Sequence, residues 1–370
     1  MKALMISADR TLLAGGLGDV KVRHQTYASH VERLDILVFT RKEGKGFKLA
    51  DNSLVEHLYL RNLFSLPKKF YDIYHYDLIV CQDPFFTGLA GLALKRKVGP
   101  KLLVHFHGDF WDNPLWLRER WYNTLLLWLS RYVVRRADAI RVMSQGQIEK
   151  LVKAGISKTK IRVISTPVDL TRLENYPLEP KHQKLMAQLK EALNGQKMIL
   201  MVGRKDQVKD FETLFAAISL VKQKYSNVTL WLLGNYKTKE LDKDLVGLVN
   251  GVGNVDAEDL PAYYYTSDLA VLSSTSESFG KVLVEANACT RPVVATETTG
   301  TKEIIQQGYN GYLVPIKNPQ ALASRIVELL SNPQLANQMG ENGRKLVQER
   351  FSHNTEKIIR FWEEIVNTNL

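Results

Sequence analysis

The 370-residue chain is expected to form an α/β architecture of two doubly wound domains in tandem. Three features predict this. The length suits about two domains at roughly 150 residues each. Short, near-continuous apolar runs alternate with helical patterns, the βαβ rhythm of a parallel sheet covered on both faces. That rhythm pauses at a polar segment, residues 174–196, and then restarts.

Taken in order, strands are expected at 3–7, 35–40, 54–59, 77–81, 102–106, 139–143 and 160–164, with helical stretches between most of them. After the polar segment they recur at 198–202, 228–233, 268–272, 292–296 and 311–314. Residues 353–370 read as a last helix, with Ile358, Ile359, Phe361, Trp362, Ile365 and Val366 at helical spacing. The expected division is 1–180, 181–352, and a closing helix 353–370. Two such halves make a cleft, and open α/β sheets bind ligands at strand carboxyl ends and helix N-termini.

Composition narrows the class. With 45% hydrophobic and 24% charged residues, the chain should be globular and not disordered. No stretch reaches the ~20 apolar residues a spanning helix needs; the densest, Leu125-Leu126-Leu127-Trp128-Leu129, is far shorter. The N-terminal residues read as a first strand and not as a signal peptide, so a cytoplasmic location is expected. Cys81 and Cys289 sit in apolar patterns in different halves and are expected to be buried free thiols. The net charge of +11 is uneven: residues 1–180 hold 28 Lys+Arg against 18 Asp+Glu, and residues 181–370 hold 22 against 21. That asymmetry suits an anionic surface or partner for the first half, or solubility alone.

Four constellations carry chemistry. Gly15-Gly16-Leu17-Gly18-Asp19 follows the first strand and precedes a helix, where bare backbone N–H groups can approach a phosphate. His105-Phe106-His107-Gly108-Asp109 closes a strand, and a neutral His107 imidazole there can bond a sugar hydroxyl. Strand alternation puts His105 and His107 on one face, but no further metal-ligand partner is evident. Gly203-Arg204 and Lys209-Asp210-Phe211 straddle a strand-to-helix turn, where two cations can hold a pyrophosphate and stabilise its departure. Last, Ser273-Ser274-Thr275-Ser276-Glu277-Ser278-Phe279-Gly280-Lys281-Val282-Leu283-Val284-Glu285-Ala286 places Glu277 in a turn and Gly280 at a helix start. Glu285 is eight residues on, about two helical turns, and is expected on a similar face. Each carboxylate could accept bonds from a diol.

These segments together resemble the retaining GT-B glycosyltransferases of the family 4 type (glycosyl transferases group 1). Glu277-x7-Glu285 with Phe279-Gly280 is similar to the family's signature, and Gly203-Arg204-x4-Lys209-Asp210-Phe211 to its GR…KGF segment. Leu260-Pro261-Ala262-Tyr263-Tyr264 with Ser267-Asp268, Arg291-Pro292-Val293-Val294-Ala295-Thr296 with Gly300 and Glu303, and Asn310-Gly311-Tyr312-Leu313-Val314 match further segments. So do Ala137-Asp138 with Ser144, and Pro167-Val168-Asp169. The resemblance is strong over 198–330 and thin before 100. It implies that Arg204 and Lys209 bind the donor diphosphate and that Glu285 binds the ribose. Glu277 and the backbone of Phe279, Gly280 and Lys281 would hold the sugar, and the Val282 and Leu283 amides a phosphate. Gly16 would close over the diphosphate, His107 would touch the sugar, and the last helix would cross back to the first domain. Thr290 and Thr299 stand where the family commonly has glycine.

The resemblance further implies retention of anomeric configuration, no cofactor and no metal; Asp242-Lys243-Asp244 reads as solvated surface. Front-face displacement is expected, with the leaving phosphate taking the acceptor's proton while closing domains exclude water. Asp19 and Asp109 are candidate acceptor-side carboxylates. The expected partners are a nucleotide sugar and a glycan or lipid-linked acceptor, in cell-envelope or polysaccharide synthesis. Basic-aromatic segments at 61–71 and 111–136 suit an anionic membrane surface, or else the core. A nucleotide-sugar 2-epimerase and a non-catalytic sugar-nucleotide-binding subunit share the architecture. Nucleic-acid binding rests on the pI alone, without a reading motif.

Overall fold

The computed structural model describes residues 1–14, 20–41, 44–236 and 245–368. It divides into two compact units: Met1–Pro167 with His353–Leu370, and Val168–Ser352.

The first unit contains β1 (Lys2–Ser7), β2 (Arg33–Phe39), β3 (Phe47–Ala50), β4 (Ser53–Leu58), β5 (Leu78–Cys81), β6 (Lys101–Phe106), β7 (Ala139–Val142) and β8 (Ile161–Val163). They form one sheet in the order β3-β4-β2-β1-β5-β6-β7-β8, parallel apart from antiparallel β3 on β4. Successive residues of each strand enter opposite cores. Leu4 and Ile6 join Ile79, Cys81 and Val104 on one face, while Ala3, Met5 and Val80 join Ile358 and Trp362 on the other. Both faces are buried, which is why the strands read as continuous apolar runs. The helix Asn354–Asn367 returns to this unit: Trp362 packs on Tyr27 at 5.6 Å, and Asn354 donates to Ser165 Oγ at 2.8 Å.

The second unit contains β9 (Lys197–Val202), β10 (Val228–Leu233), β11 (Val249–Gly253), β12 (Leu269–Leu272), β13 (Val293–Thr296) and β14 (Gly311–Val314). Its parallel sheet runs β11-β10-β9-β12-β13-β14. In both sheets the first strand lies inside, so the winding direction reverses beside it. These switch points, β1/β5 and β9/β12, are where open α/β sheets receive ligands.

Two expectations need correction. The second unit begins at Val168, not 181. The intervening helix Leu170–Asn175 buries Leu170 and Leu173, Arg172 donates to Ala257 O at 2.7 Å, and Tyr265 donates to Leu173 O at 3.0 Å. The polar segment is not a pause between the units but part of the second one: the helix Pro180–Leu193 buries His182, Leu189 and Leu193, and the His182 ring stacks on Tyr176 at 3.7 Å. Strands β3 and β11 were not expected. Cys81 and Cys289 are buried free thiols.

Candidate functional site

In the second unit, the loops leaving β9 and β12 are sewn together. Thr275 N–H donates to Val208 O at 2.8 Å, and the Ser273 hydroxyl donates to Lys209 O at 2.7 Å. This stitching brings Lys209 Nζ to 2.6 Å from Glu277 Oε2, both side chains mostly buried. Asp210, next along, has φ +46° and caps the helix Phe211–Lys224 through Thr213 N–H at 3.2 Å. Arg204 projects exposed from the same turn. Lys209 and Glu277 therefore sit together at the β9/β12 switch point, with Arg204 on the loop that leaves β9.

Glu277 lies in the loop ahead of the helix Lys281–Ala288 and not on it. The two-turn spacing that aligned Glu277 with Glu285 does not apply, because the first three intervening residues are not helical. Gly280 starts the helix at φ +89°, a conformation that favours glycine. Gly300 closes the wall: its N–H donates to Glu277 O at 2.8 Å, and an added Cβ would lie 2.2 Å from Phe279 N. Phe279 itself points into the core, against Phe351 at 5.4 Å. The amides of the first turn are the ones a bound anion would meet. Leu283 N–H already donates to Gly280 O at 2.8 Å, so it is the least available of those expected to bind phosphate; Lys281 and Val282 are half-buried.

Glu285 is buried beneath this turn. Its Oε2 accepts from Tyr264 Oη at 2.9 Å, and Lys281 Nζ approaches Oε1 at 3.2 Å. Burial first, and then the neighbouring carboxylate, hold the Tyr264 hydroxyl well above its ordinary pKa, so it stays a donor. Sequence reasoning noted Tyr264 only as a motif letter; its place under Glu285 is a tertiary fact. Thr290 follows the end of the same helix at φ +55°.

In the first unit, His107 Nε2 bonds Gln82 Oε1 at 2.6 Å, and its ring lines a pocket together with Arg23, His24, Asp83 and Arg141. Although the residue keeps an exposed edge, desolvation by the surrounding protein, and then Arg141, Arg23 and His24 nearby, lower the imidazole pKa to about 3. The ring is therefore neutral near pH 7 and can serve a hydroxyl. Asp109 is not a free carboxylate: both its oxygens accept from Lys150 Nζ, at 2.8 and 2.7 Å. As a proton acceptor it would first have to give up that cation. Gly15, Gly16 and Asp19 lie outside the described residues, as do Asp242 and Asp244. Among the described residues, no three His, Cys, Asp or Glu side chains converge as a metal-ligand group.

Comparison with known proteins gives a consistent result. Residues 184–346 match the family "Glycosyl transferases group 1", and residues 24–172 match "Glycosyltransferase Family 4". An uncharacterized glycosyltransferase of Methanocaldococcus jannaschii is 38% identical over 332 residues, covering 86% of this chain and 85% of that one. A capsular polysaccharide biosynthesis glycosyltransferase of Staphylococcus aureus, CapM, is 28% identical over 241 residues, 62% of this chain and 60% of its own. Among solved structures, sucrose-phosphate synthase of Thermosynechococcus elongatus superposes with a TM-score of 0.82 at 23% identity, covering 99% of each chain. Anabaena HepE in complex with UDP-glucose superposes with a TM-score of 0.77 at 23% identity, covering 98% of this chain and 100% of that one.

Proposed function

The chain belongs to the group 1 glycosyltransferases of GT-B architecture, and from that membership we propose that it transfers a hexose-type sugar from a nucleotide-diphosphate sugar to a glycan or lipid-linked acceptor in cell-envelope or polysaccharide synthesis. The observation that carries the donor assignment is the Lys209–Glu277 pair at the β9/β12 switch point, at the mouth of a glycine-started helix. UDP-glucose in Anabaena HepE supports this class of donor.

The chemistry follows from the charges. Lys209 and Glu277 form an ion pair across 2.6 Å. A sugar diphosphate separates their tasks: the ammonium turns to the phosphate, and the carboxylate accepts from sugar hydroxyls. Arg204 and the amides of Lys281 and Val282 add positive charge where the leaving diphosphate gains negative charge. Buried Glu285, fixed by Tyr264, accepts from the ribose diol. Neutral His107 holds a sugar hydroxyl. Configuration is retained by front-face displacement, the acceptor's proton passing to the departing phosphate, with no metal required.

A thermal-shift screen over UDP, GDP, ADP and CDP sugars identifies the donor, since a bound ligand raises apparent stability. With that donor, Arg204→Ala and Lys209→Ala should each lose about 100-fold in turnover while remaining folded, the scale of removing one charge-stabilising donor. Near-normal turnover in either folded variant rejects the assignment. The anomeric signal of the product by NMR tests retention, and an inverted linkage refutes it.

A further inference from the structure

Two lysine–carboxylate pairs flank the start of the helix Lys281–Ala288. Ahead of it, Lys209 Nζ lies 2.6 Å from Glu277 Oε2. On it, Lys281 Nζ lies 3.2 Å from Glu285 Oε1, one turn along the same face. In this second pair the carboxylate side chain is 6% exposed and the lysine 32%, so the lysine keeps contact with solvent while the carboxylate is shut in. Tyr264 Oη donates to the other oxygen of Glu285 at 2.9 Å.

Helix stability does not account for Lys281. A cation in the first turn opposes the helix dipole, whose positive end lies there. A lysine placed N-terminal to its glutamate is also the weaker order for a pair four residues apart. Three longer helices of the same unit do the opposite. Phe211–Lys224, Pro319–Ser331 and Pro333–Phe351 each start on an Asp or Asn side chain that accepts a first-turn N–H, and the first of them has Glu212 in its first turn. The helix Lys281–Ala288 starts on Gly280, which has no side chain to offer, and its first turn holds no acid. Positive charge is gathered at this end. An anion held there reverses the balance, because ammonium and amides then act on it together.

A nucleotide sugar has hydroxyls at each end and a diphosphate between them, and the site has a carboxylate–lysine pair for each end. We propose that the Lys281 side chain is a further cation for the donor: it turns from Glu285 to the diphosphate on the ribose side as the ribose diol takes its place on the carboxylate. Lys209 and Glu277 make the matching exchange on the side of the transferred sugar. The proposal rests on the donor reading above and adds a side chain that makes recognition of ribose depend on the phosphates beside it. A bare nucleoside must break the Lys281–Glu285 pair and gives the lysine nothing in return, whereas a nucleoside diphosphate gives it a new partner.

The test uses Lys281→Gln in the full chain, which keeps a donor for Glu285 and removes the charge. UDP, GDP, ADP and CDP, each with its own nucleoside, are titrated into both proteins by NMR. For the base that binds, Lys281→Gln should weaken the diphosphate about tenfold or more and lower its salt dependence, the scale of losing one hydrogen bond to a charged group. The nucleoside should bind Lys281→Gln as well as wild type, or better. Lys281→Arg, which keeps the charge, should hold the diphosphate to within about threefold of wild type. Equal weakening of nucleoside and diphosphate, as a purely structural role requires, overturns the proposal, and so does a loss in Lys281→Arg as large as in Lys281→Gln. If a diphosphate binds wild type and Lys281→Gln equally, the donor reading stands and the role of Lys281 fails alone. If none of the four diphosphates binds wild type, the donor reading fails and takes the proposal with it.

Discussion

Thr290 shows what a single residue can hold in reserve. A β-branched residue at φ +55° is held in a left-handed conformation that costs an L-residue about 1–2 kcal/mol. Glycine would relieve that cost but lose roughly 0.5–1 kcal/mol through its freer unfolded chain. Thr290→Gly should therefore stabilise the protein by about 0.5–1 kcal/mol, seen as a higher urea midpoint at unchanged slope; a lower midpoint would show that the Thr290 Oγ1 bond to Cys289 O, 2.7 Å, matters more. His107 makes a pH prediction. Its pKa falls from an ordinary 6.5 to about 3 on folding, so between those values the unfolded chain binds more protons. Stability should then decline as pH drops from 6.5 towards 3, and His107→Asn should flatten that decline in melting curves, leaving His105 to account for the remainder. The site was legible where chemistry and strand ends coincide, as at Lys209 and Glu277. It was hidden where burial decides. Nothing in Tyr263-Tyr264-Tyr265 says which ring sits under Glu285.

At the scale of elements, one device recurs. An aspartate stands immediately before an inner strand and accepts the backbone N–H of a residue at the start of the neighbouring strand. Asp77 before β5 takes Lys2 N–H at 2.7 Å, Asp138 before β7 takes Leu102 N–H at 2.8 Å, and Asp268 before β12 takes Met198 N–H at 2.8 Å. Asp138 and Asp268 each add a lysine, Lys95 at 2.7 Å and Lys197 at 2.8 Å. These bonds pin register, which a parallel sheet covered on both faces must fix without a hairpin turn. Asp138→Ala and Asp268→Ala should each cost about 1–3 kcal/mol, the range for bonds to a charged group. Asp72→Ala, which removes only the exposed Lys68 pair, should cost under about 1 kcal/mol. Equal losses in all three, read from denaturation midpoints, would remove the pinning role. Most strands were legible because both faces are buried, giving runs that only strands of this kind need. The two missed are edges. β3 is a four-residue antiparallel flap with Lys48 outward, and β11 (Val-Asn-Gly-Val-Gly) has two glycines and few side chains to pack.

For the whole molecule, the structural division sharpens the charge asymmetry. The first unit holds 29 Lys and Arg against 18 Asp and Glu, a net +11, while the second holds 21 against 21. The sequence could not say whether the aromatic residues of 111–136 were core or surface, because helical spacing is the same for both. The structure separates them. Trp111 is core, its Nε1 donating to Ser130 Oγ at 2.7 Å, and Trp116 stacks on Phe85 at 5.9 Å. Trp121, Leu125 and Trp128 are 89%, 63% and 65% exposed, among exposed Arg118, Arg120, Arg131 and Arg135. The helices Asn123–Val134 and Ser65–Tyr74 both flank the helix Phe86–Val98, and the second adds exposed Ile73 beside Lys68 and Lys69. Among the described residues no helix is long and apolar enough to cross a membrane. Apolar rings set among cations instead suit the interface of an anionic bilayer, each cation near the surface contributing about 1 kcal/mol. The protein should co-sediment with vesicles of phosphatidylglycerol at low salt and dissociate as ionic strength rises. Trp121→Ala with Trp128→Ala should weaken binding at any salt, whereas Arg131→Gln with Arg135→Gln should mainly reduce the salt dependence. Binding that ignores both pairs, or that is equal on neutral phosphatidylcholine, would return these tryptophans to the ordinary surface and the +11 to solubility.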